Sequence, residues 1–348
     1  MNHKYFMKKA LKEALKGQGY VSPNPLVGAL VIHNNQIMAQ GYHGEEKNLH
    51  AEKIVLKKAQ TKKFNLKEAT LYVTLEPCCH YGKTPPCTDA IIKSGLKKIV
   101  IAQIDPNPLV AGKGIQILKK AGLEIISGIL EKEAQYQIRF FRFWITQKQP
   151  YFLAKIAISK NQCYALKNQN KLISNPQTKK YTKKLRTQFD AILIGKKTLL
   201  TDNPHLGSKK NNLIRIIVCQ NLDFSPEKLQ VFRDNKIIIF YKKKLNNYKF
   251  PGKLFHYQNL AEIPAKIFQL KIQSVLVEGG GQIIDLFLQK NLIQEILLVK
   301  SLTVNLTNGL KAPVIPAKFQ LIQEKKLKYD HLVYYQHLHL GASNKFMI

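Results

Sequence analysis

Cysteine is scarce in this sequence, with five residues in a chain of 348. A low and odd number predicts no disulfide framework, and it fits the reducing conditions of a cytoplasm. Long apolar runs are also missing, because no stretch approaches the length that crosses a membrane. The first residues predict a charged amphipathic helix rather than a signal peptide. The sequence therefore favours a cytoplasmic protein that does not enter a membrane.

Acidic residues are few as well, with 22 Asp and Glu against 55 Lys and Arg, so the formal net charge is +33. Such a charge attracts polyanions, so nucleic acid is a candidate partner. However, the lysines are scattered along the whole chain, and we find neither a basic block interleaved with aromatic residues nor an RNA-binding motif. Compositional drift toward AT-rich codons explains the excess more simply, and a positive surface also suits anionic small molecules. We therefore expect no nucleic-acid partner.

The length and the hydrophobic content of 45% allow two domains, each with its own core. The stretch Gln147–Pro150 is the predicted linker, which gives domains over residues 1–146 and 147–348. In the first half, buried strands such as 70–75 alternate with helical segments such as 88–94 and 131–145. This alternation predicts an α/β sheet with helices on both faces.

The motif that organises the first half consists of His50-Ala51-Glu52 and a second stretch from Glu76 to Cys87, EPCCHYGKTPPC. One histidine and two cysteines, His50, Cys78 and Cys87, can hold zinc and leave a fourth position open, as in catalytic rather than structural zinc sites. A water bound there ionises near neutral pH and becomes a nucleophile. Glu52 is then placed to carry protons. Together these residues match the signature of the zinc deaminases of nucleobases.

The predicted secondary structure around the motif favours a metal site over the alternative that these residues are ordinary core residues. A buried strand is predicted to end just before Glu76, and a helix is predicted to begin at His50. Cys79 is not expected to bind the metal, because neighbouring residues on an extended chain point in opposite directions.

The long spacing from Cys78 to Cys87, with HYGKTPP between them, closely resembles the deaminase half of the RibD family of bifunctional riboflavin-biosynthesis proteins. The resemblance implies a cytidine-deaminase-like three-layer α/β domain that deaminates a phosphorylated aminopyrimidine. It also implies that Asn24 contacts the substrate. From the residues alone, Asn24 in a proline-rich bend is equally explained as a turn residue.

A glycine-rich turn, Glu278-Gly279-Gly280-Gly281, separates a predicted strand over 273–277 from a helix in the second half. Backbone N–H groups at a helix N-terminus favour phosphate, although the spacing is not the dinucleotide-binding fingerprint.

This turn and the stretch LRTQFDAILIGKKTLLTDNPHL together resemble the RibD reductase domain, a relative of dihydrofolate reductase. The resemblance covers about residues 5–335 and implies an NADPH-dependent reduction of a ribosyl group to a ribityl chain. The implied cofactor contacts are Ile158, Leu172, Thr198, Asp202, Gly280, Gly281, Gln282, Ile283, Ile284, Asp285 and Leu286. The implied substrate contacts are Lys155, Asn170, Arg186, Leu206, Lys209 and Glu278. A homo-oligomer formed through the second domain is also plausible by this resemblance.

The second half departs from the pattern of the family in three places. The stretch Ser159-Lys160-Asn161-Gln162 stands where the family usually has Ser-Leu-Asp-Gly, Ile158 stands where a small residue precedes that serine, and Leu172 stands where the family has tryptophan. Loss of glycine at 162 removes a residue that tolerates unusual backbone angles. These departures keep open an alternative in which the second domain is not catalytic. Another alternative is an RNA-acting deaminase whose second half is a positively charged clamp.

Overall fold

The computed structural model of the chain describes residues 2–46, 49–62, 64–81, 85–166, 173–207, 213–233, 236–245 and 248–340. The chain divides into two compact units, Met1–Gln147 and Lys148–Ile348, each of which is considered on its own. Among the described helices, none combines the length and the apolar character needed to cross a membrane.

The first unit alternates strands and helices. Its elements are α1 His3–Ala14, β1 Gly28–His33, β2 Gln36–Tyr42, α2 Ala51–Thr61, β3 Thr70–Val73, α3 Cys87–Lys93, β4 Lys98–Ile101, α4 Lys113–Lys120, β5 Glu124–Ser127, α5 Glu131–Gln137 and α6 Arg139–Gln147.

The described strands of this unit form one sheet in the order β2-β1-β3-β4-β5. β1 is antiparallel to β2 and β3, whereas β3, β4 and β5 run parallel. Alternate residues of β1 enter two different cores. Ala29 and Val31 pack with α2, α3 and α4, and Leu30 and Ile32 pack with α1. The sheet is therefore covered on both faces, which gives a three-layer arrangement.

One predicted element of this unit differs in the structure. The single helix expected over 131–145 is two helices, α5 and α6, because the chain leaves helical geometry at Ile138 (φ −100°, ψ 20°). The Ile138 side chain is buried in the core beside Phe141. Ala134 of α5 packs in the core with α1, whereas Phe141 of α6 packs in the core with α2, so the break accompanies a change of core that periodicity does not detect.

The second unit contains a longer series of elements. They are β6 Tyr151–Ile158, β7 Cys163–Leu166, α7 Pro176–Arg186, β8 Ala191–Gly195, α8 Lys196–Asp202, β9 Ile214–Val218, β10 Asn221–Leu222, β11 Ile237–Tyr241, β12 Lys243–Lys244, β13 Lys253–His256, α9 Glu262–Gln269, β14 Ser274–Glu278, α10 Gly281–Gln289, β15 Glu295–Ser301, β16 Gly309–Lys311, β17 Phe319–Leu327 and β18 Asp330–His337.

The main sheet of this unit has the order β13-β11-β9-β8-β14-β6-β15-β18-β17 in the part of the chain that the structure describes. Its strands run parallel from β13 to β15, and β18 is antiparallel to both of its neighbours. Residues of β8 alternate between two cores, with Leu193 facing α9 and α10 and with Ile192 and Ile194 facing α8. The parallel centre brings the carboxyl ends of β6, β8, β9 and β14 to one edge, where ligands bind in open α/β sheets.

Candidate active sites

In the first unit, the three predicted metal ligands lie at the ends of secondary-structure elements. His50 directly precedes α2, Cys78 follows β3 in a loop, and Cys87 is the first residue of α3. Both helices pack on the same face of the sheet. The loop after β3 therefore ends beside two helix N-termini, and the three side chains converge there.

The spacing of these side chains fits a zinc ion. The Nδ1 atom of His50 lies 3.2 Å from Cys87 Sγ and 3.5 Å from Cys78 Sγ. All three ligand atoms lie within 4.8 Å of one another. Nitrogen and sulfur ligands of one tetrahedral zinc are roughly 3.6 Å apart, given the usual bond lengths. Three protein ligands also leave the fourth position free for water or substrate.

The two cysteines ionise very differently. The hydrogen bond from Cys87 lowers the pKa of Cys78 to about 4, although burial opposes this effect, and His50 lowers it further. The same contact with Cys78, together with burial, raises the pKa of Cys87 well above its ordinary value. The pair therefore holds one thiolate and one thiol. Zinc binding needs both sulfur atoms as thiolates, so it releases the proton that they share.

Glu52 lies in the first turn of α2, and its side chain is buried beside the three ligands. Burial raises the pKa of its carboxyl group. His50 opposes that increase and the negative charge of Cys78 adds to it. A carboxyl group with a raised pKa can both take and give a proton near neutral pH, as a general acid–base group must.

His43 is a neighbour of the metal group that the sequence motifs did not indicate. Its ring meets the ring of His50 edge to face, with centroids 5.2 Å apart. Its Nδ1 atom lies 2.9 Å from the carbonyl oxygen of Leu49, and burial lowers its pKa. A neutral imidazole that donates to Leu49 supports the position of His50 at the start of α2.

Two other residues of the motif region lie outside the metal group. Cys79 is half-buried, and the ligand group found among the described residues does not include it. Asn24 is exposed in the turn that follows the cis Ser22–Pro23 peptide, and its N–H donates to the carbonyl oxygen of Val21 at 2.8 Å. The predicted role of Asn24 in substrate binding stays a prediction.

The second unit contains a cavity of about 780 Å³ at the carboxyl edge of its parallel strands. This volume is typical of sites for small molecules and cofactors. The predicted site residues on its wall are Lys155, Arg186, Thr198, Asp202, Glu278, Gly280, Gln282, Ile283 and Leu286.

The glycine-rich turn forms part of the cavity wall and is held by α8. The N–H of Gly280 donates to the hydroxyl oxygen of Thr198 at 2.7 Å. Gly279 has a φ of +126°, and a Cβ atom there would lie 2.8 Å from the same hydroxyl. Tyr164 covers Gly281 so closely that a Cβ atom would lie 2.7 Å from its ring. The turn therefore needs glycine for close approach, at the N-terminus of α10, where phosphate groups bind readily.

A group of three charges lies on the cavity wall near this turn, in which Glu278 is buried and Arg186 and Lys155 are half-buried. Arg186 donates from Nε to Glu278 Oε1 at 3.0 Å and from Nη2 to Glu278 Oε2 at 2.8 Å. Burial raises the pKa of Glu278, but the hydrogen bonds and charge of Arg186 and the charge of Lys155 outweigh it, so the pKa is lowered. Lys155 faces Glu278 across neighbouring strands, and burial lowers its pKa. Two of the three guanidinium nitrogens of Arg186, Nε and Nη2, therefore already donate to Glu278.

The remaining predicted contacts of the second unit are not on this wall. Ile158 and Ile284 pack in one core, and Leu206 is buried in the other with a φ of +52°. Gly281 and Asp285 belong to α10 but do not line the cavity. Asn170, Leu172 and Lys209 lie outside the described residues.

The cavity wall also includes polar residues that the sequence motifs did not indicate, among them Tyr164, Lys179, Lys183, Gln220 and Asn221. Lys179 and Lys183 are one helical turn apart on α7, so their spacing in the sequence could have shown that both lie on the same face of a helix. Gln220 and Asn221 follow β9 at the same sheet edge as the glycine turn, a position that only the strand order reveals.

Two protein-family models match the sequence. The cytidine and deoxycytidylate deaminase zinc-binding region matches residues 1–103. The RibD C-terminal domain matches residues 150–301.

Curated proteins are similar to this chain over most of its length. The riboflavin biosynthesis protein RibD of Aquifex aeolicus is 38% identical over 307 residues, which cover 85% of each chain. The RibD protein of Actinobacillus pleuropneumoniae is 34% identical over 304 residues, covering 80% of this chain and 78% of its own.

Solved structures share the fold over nearly the whole length. A diaminohydroxyphosphoribosylaminopyrimidine deaminase/5-amino-6-(5-phosphoribosylamino)uracil reductase from Thermotoga maritima is 33% identical, with a TM-score of 0.89 over 96% of this chain and 98% of its own. RibD of Acinetobacter baumannii is 28% identical, with a TM-score of 0.85 over the same shares. The predicted deaminase-like and reductase-like α/β folds are confirmed.

Proposed function

Because the chain belongs to the RibD family, we propose that each of its two sites performs one step of riboflavin biosynthesis. The protein is a bifunctional enzyme, with a zinc-dependent deaminase in the first unit and an NADPH-dependent reductase in the second. The observation that carries the first activity is the convergence of His50, Cys78 and Cys87 beside the buried Glu52.

The substrate that we propose is a phosphorylated aminopyrimidine, 2,5-diamino-6-ribosylamino-4(3H)-pyrimidinone 5′-phosphate. Deamination gives 5-amino-6-(5-phosphoribosylamino)uracil, and reduction then converts its ribosyl group to a ribityl chain. The two activities in the name of the Thermotoga maritima structure support this order. The net charge of +33 also favours association with phosphorylated ligands.

In the deaminase site, His50, Cys78 and Cys87 would hold zinc, and bound zinc would supply a water that is a nucleophile near neutral pH. Glu52 would move one proton from the attacking water to the departing amine, so its carboxyl group would return to its starting state when ammonia leaves. Its burial supports this role, because a raised pKa brings the carboxyl group nearer to the working pH. The Nδ1 atom of His50 faces both sulfur atoms, and a bound metal would keep this imidazole in the neutral form that a ligand requires.

In the reductase site, NADPH supplies the hydride that reduces C1 of the ribosylamino group. Thr198 holds the glycine turn on which we propose that the cofactor phosphates rest. Lys155 lies half-buried on the cavity wall, where its ammonium group can protonate the oxygen of the opened sugar. The Arg186–Glu278 pair holds the wall beside Lys155, and Lys179 and Lys183 add positive charge for a phosphate.

The two alternatives are less well supported. The second half matches the RibD C-terminal domain. Its cavity contains the glycine turn and the Arg186–Glu278 pair, and an RNA-binding surface requires neither of these features. A domain without catalysis would not need Lys155 beside a buried carboxylate on the wall of a cavity. Because both zinc thiolates must stay reduced, we also propose a reducing compartment such as the cytoplasm. Self-association through the second unit stays a proposal based on family resemblance.

The experiment that tests this function is an assay on the zinc-loaded protein with the aminopyrimidine substrate, following ammonia release and NADPH oxidation separately. We expect both activities, and we expect Glu52→Gln to lower the rate of ammonia release at least 100-fold, the scale of a lost acid–base group, with unchanged zinc content. Glu68→Gln, on the exposed side of the same unit, should retain the wild-type rate.

The outcomes separate the hypotheses. Ammonia release without NADPH oxidation, even when the deaminated product is supplied, would mean that the second unit is not a reductase. If neither activity appears with zinc bound, the proposed substrate is wrong, and strongly salt-dependent RNA binding would then support the nucleic-acid alternative.

A further inference from the structure

Glu76 is a buried carboxylate beside the metal group that the deaminase mechanism does not use. It lies two residues before Cys78, and its side chain is almost fully enclosed. Three backbone N–H groups donate to it. Those of Asp105 and Gly112 donate to Oε2 at 3.1 and 2.8 Å, and that of Ile115 donates to Oε1 at 3.1 Å. Three such bonds give both oxygens of this buried side chain backbone partners.

All three donors belong to one segment, the loop from β4 to α4 and the first turn of α4. Gly112 is the residue before α4, and Ile115 lies in its first turn. N–H groups at a helix N-terminus have no partner within the helix, and the helix dipole favours a negative charge there. Glu76 therefore caps α4 from a position 36 residues earlier in the chain than Gly112.

The contact between these segments is close on the backbone side as well. A Cβ atom on Gly114 would lie 2.2 Å from the carbonyl oxygen of Pro77 and 3.2 Å from Glu76 Oε1. Gly114 thus lets the first turn of α4 rest directly on the Pro77–Cys78 peptide. We call the contacts of Glu76 and Pro77 with residues 105–115 the α4 clamp.

The residues on either side of the α4 clamp are also held. The N–H of Glu76 donates to the carbonyl oxygen of Gln103 at 3.0 Å, and the carbonyl oxygen of Cys78 accepts the N–H of Thr88 at 3.2 Å. The backbone from Glu76 to Cys78 therefore has little freedom to move. Since the Cys78 side chain extends from this backbone, the position of its sulfur follows from the same contacts.

We propose that Glu76 is a positioning residue for the deamination, and that it fixes the Cys78 thiolate for zinc by locking the Glu76–Cys78 backbone onto the N-terminus of α4. This inference rests on the proposed deaminase function. Glu76 acts through the backbone and touches neither the zinc ligand atoms nor the substrate. Supporting contacts of this kind commonly change metal affinity or activity 10- to 100-fold.

The test compares Glu76→Gln and Gly114→Ala with the wild-type enzyme in its full-length, zinc-loaded form. A glutamine amide turns an NH₂ group toward backbone donors that need an acceptor, and an alanine Cβ pushes against Pro77 from the opposite side. We expect both variants to release zinc to a chromogenic chelator roughly tenfold faster. We also expect shifted ligand-field bands in the cobalt(II)-substituted variants and a lower kcat for ammonia release with little change in KM.

Two control variants separate positioning from general stability. Glu124→Gln removes a carboxylate from an exposed ion pair with Lys98 in the same unit. Ile99→Val removes one buried methyl group from β4 without touching the α4 clamp. Both controls should release zinc at the wild-type rate and keep the wild-type cobalt spectrum.

The proposal is overturned if Glu76→Gln changes only the unfolding midpoint, as Ile99→Val does, and leaves zinc release and the cobalt spectrum unchanged. Should either clamp variant fail to fold, amide hydrogen exchange of the wild-type protein decides. Removal of zinc should then accelerate exchange at Gly112 and Ile115, because coupling between two sites is reciprocal. Unchanged exchange at both amides would refute the coupling. A wild-type enzyme that binds zinc but releases no ammonia refutes the proposed function, while zinc release and cobalt spectra still test Glu76.

Discussion

Gln162 occupies a backbone position that favours glycine. Its φ is +60°, in the left-handed region, and its N–H donates to the carbonyl oxygen of Ser159 at 3.0 Å. The turn is held from both sides, because the hydroxyl of Ser159 donates to Asn161 Oδ1 at 2.6 Å and the side chain of Asn161 exchanges hydrogen bonds with the backbone of Leu306. The turn therefore holds Gln162 in the left-handed region, where a residue with a side chain strains the backbone and glycine would not.

Replacing Gln162 with glycine should relieve this strain. A non-glycine residue in the left-handed region costs about 1–2 kcal/mol, part of which is offset by the greater freedom of glycine in the unfolded chain. We expect Gln162→Gly to raise the free energy of unfolding by about 1 kcal/mol, measured by denaturant titration. The matched control Gln177→Gly, at an exposed position in α7, should lower it by a similar amount. A destabilised Gln162→Gly variant would contradict this account.

Asp105 connects the stability of the first unit to pH. Burial raises the pKa of its carboxyl group to about 6, and the charges of Glu76 and Cys78 add to the increase. The unfolded carboxyl group has a pKa of about 4. Between these values the folded protein keeps a proton that the unfolded chain has lost, so stability falls as pH rises from about 4 to 6.

Asp105→Asn removes this penalty and keeps an acceptor for the N–H of Asn107, which now donates to Asp105 Oδ1 at 2.8 Å. We expect the variant to be more stable than the wild type at pH 7.5, by at most about 3 kcal/mol, and nearly equal to it at pH 3, below both pKa values. Denaturant unfolding at the two pH values measures the difference. An equal difference at both would mean that Asp105 is not the titrating group.

Among the secondary-structure elements, α8 and the glycine-rich turn before α10 are joined by a close contact. The contact between them depends on the Thr198 hydroxyl, which accepts the N–H of Gly280, and on the small size of Gly279. The two elements are far apart in the sequence but adjacent at the carboxyl edge of the sheet. This contact holds the N-terminus of α10 in place for a cofactor phosphate.

Thr198→Val keeps the shape of the side chain but leaves the Gly280 N–H without its acceptor. We expect a roughly tenfold higher Kd for NADPH, equivalent to about 1.4 kcal/mol, with a small change in the unfolding midpoint. Thr198→Ser retains the hydroxyl and should bind NADPH nearly as the wild type does. Fluorescence titration with NADPH measures both, and equal affinities for the two variants would show that the hydrogen bond is not needed.

For the whole molecule, the two activities depend on separate sets of residues. The metal group and Glu52 belong to the first unit, and the cavity residues all belong to the second. Each unit also has its own hydrophobic cores. Loss of one cofactor should therefore stop one reaction only.

Removal of zinc with a chelator should abolish ammonia release but leave NADPH oxidation with the deaminated product within about twofold of its original rate, since none of the cavity residues binds the metal. Added zinc should restore ammonia release. Parallel loss of both activities on chelation would mean that the metal also supports the second unit.

Much of the architecture and of the metal group could be predicted from local patterns. Zinc ligation requires particular residue types, so His50, Cys78 and Cys87 are visible in the sequence, and the strand before Cys78 and the helix after His50 have clear periodicity. The break at Ile138 was missed, because both helices present apolar residues with the same period. The antiparallel strands β17 and β18 depend on pairing partners that local patterns do not specify.

Local chemistry thus specified the ligands, the proton carrier and the glycine turn, because each of these depends on residue types at short spacing. Tertiary packing decided which distant residues support them. The pairing of Arg186 with Glu278, the cover of Tyr164 over Gly281 and the capping of α4 by Glu76 all join segments separated by many residues. Such contacts form only when the order of the strands brings these segments together, because no local pattern relates residues so far apart in the chain.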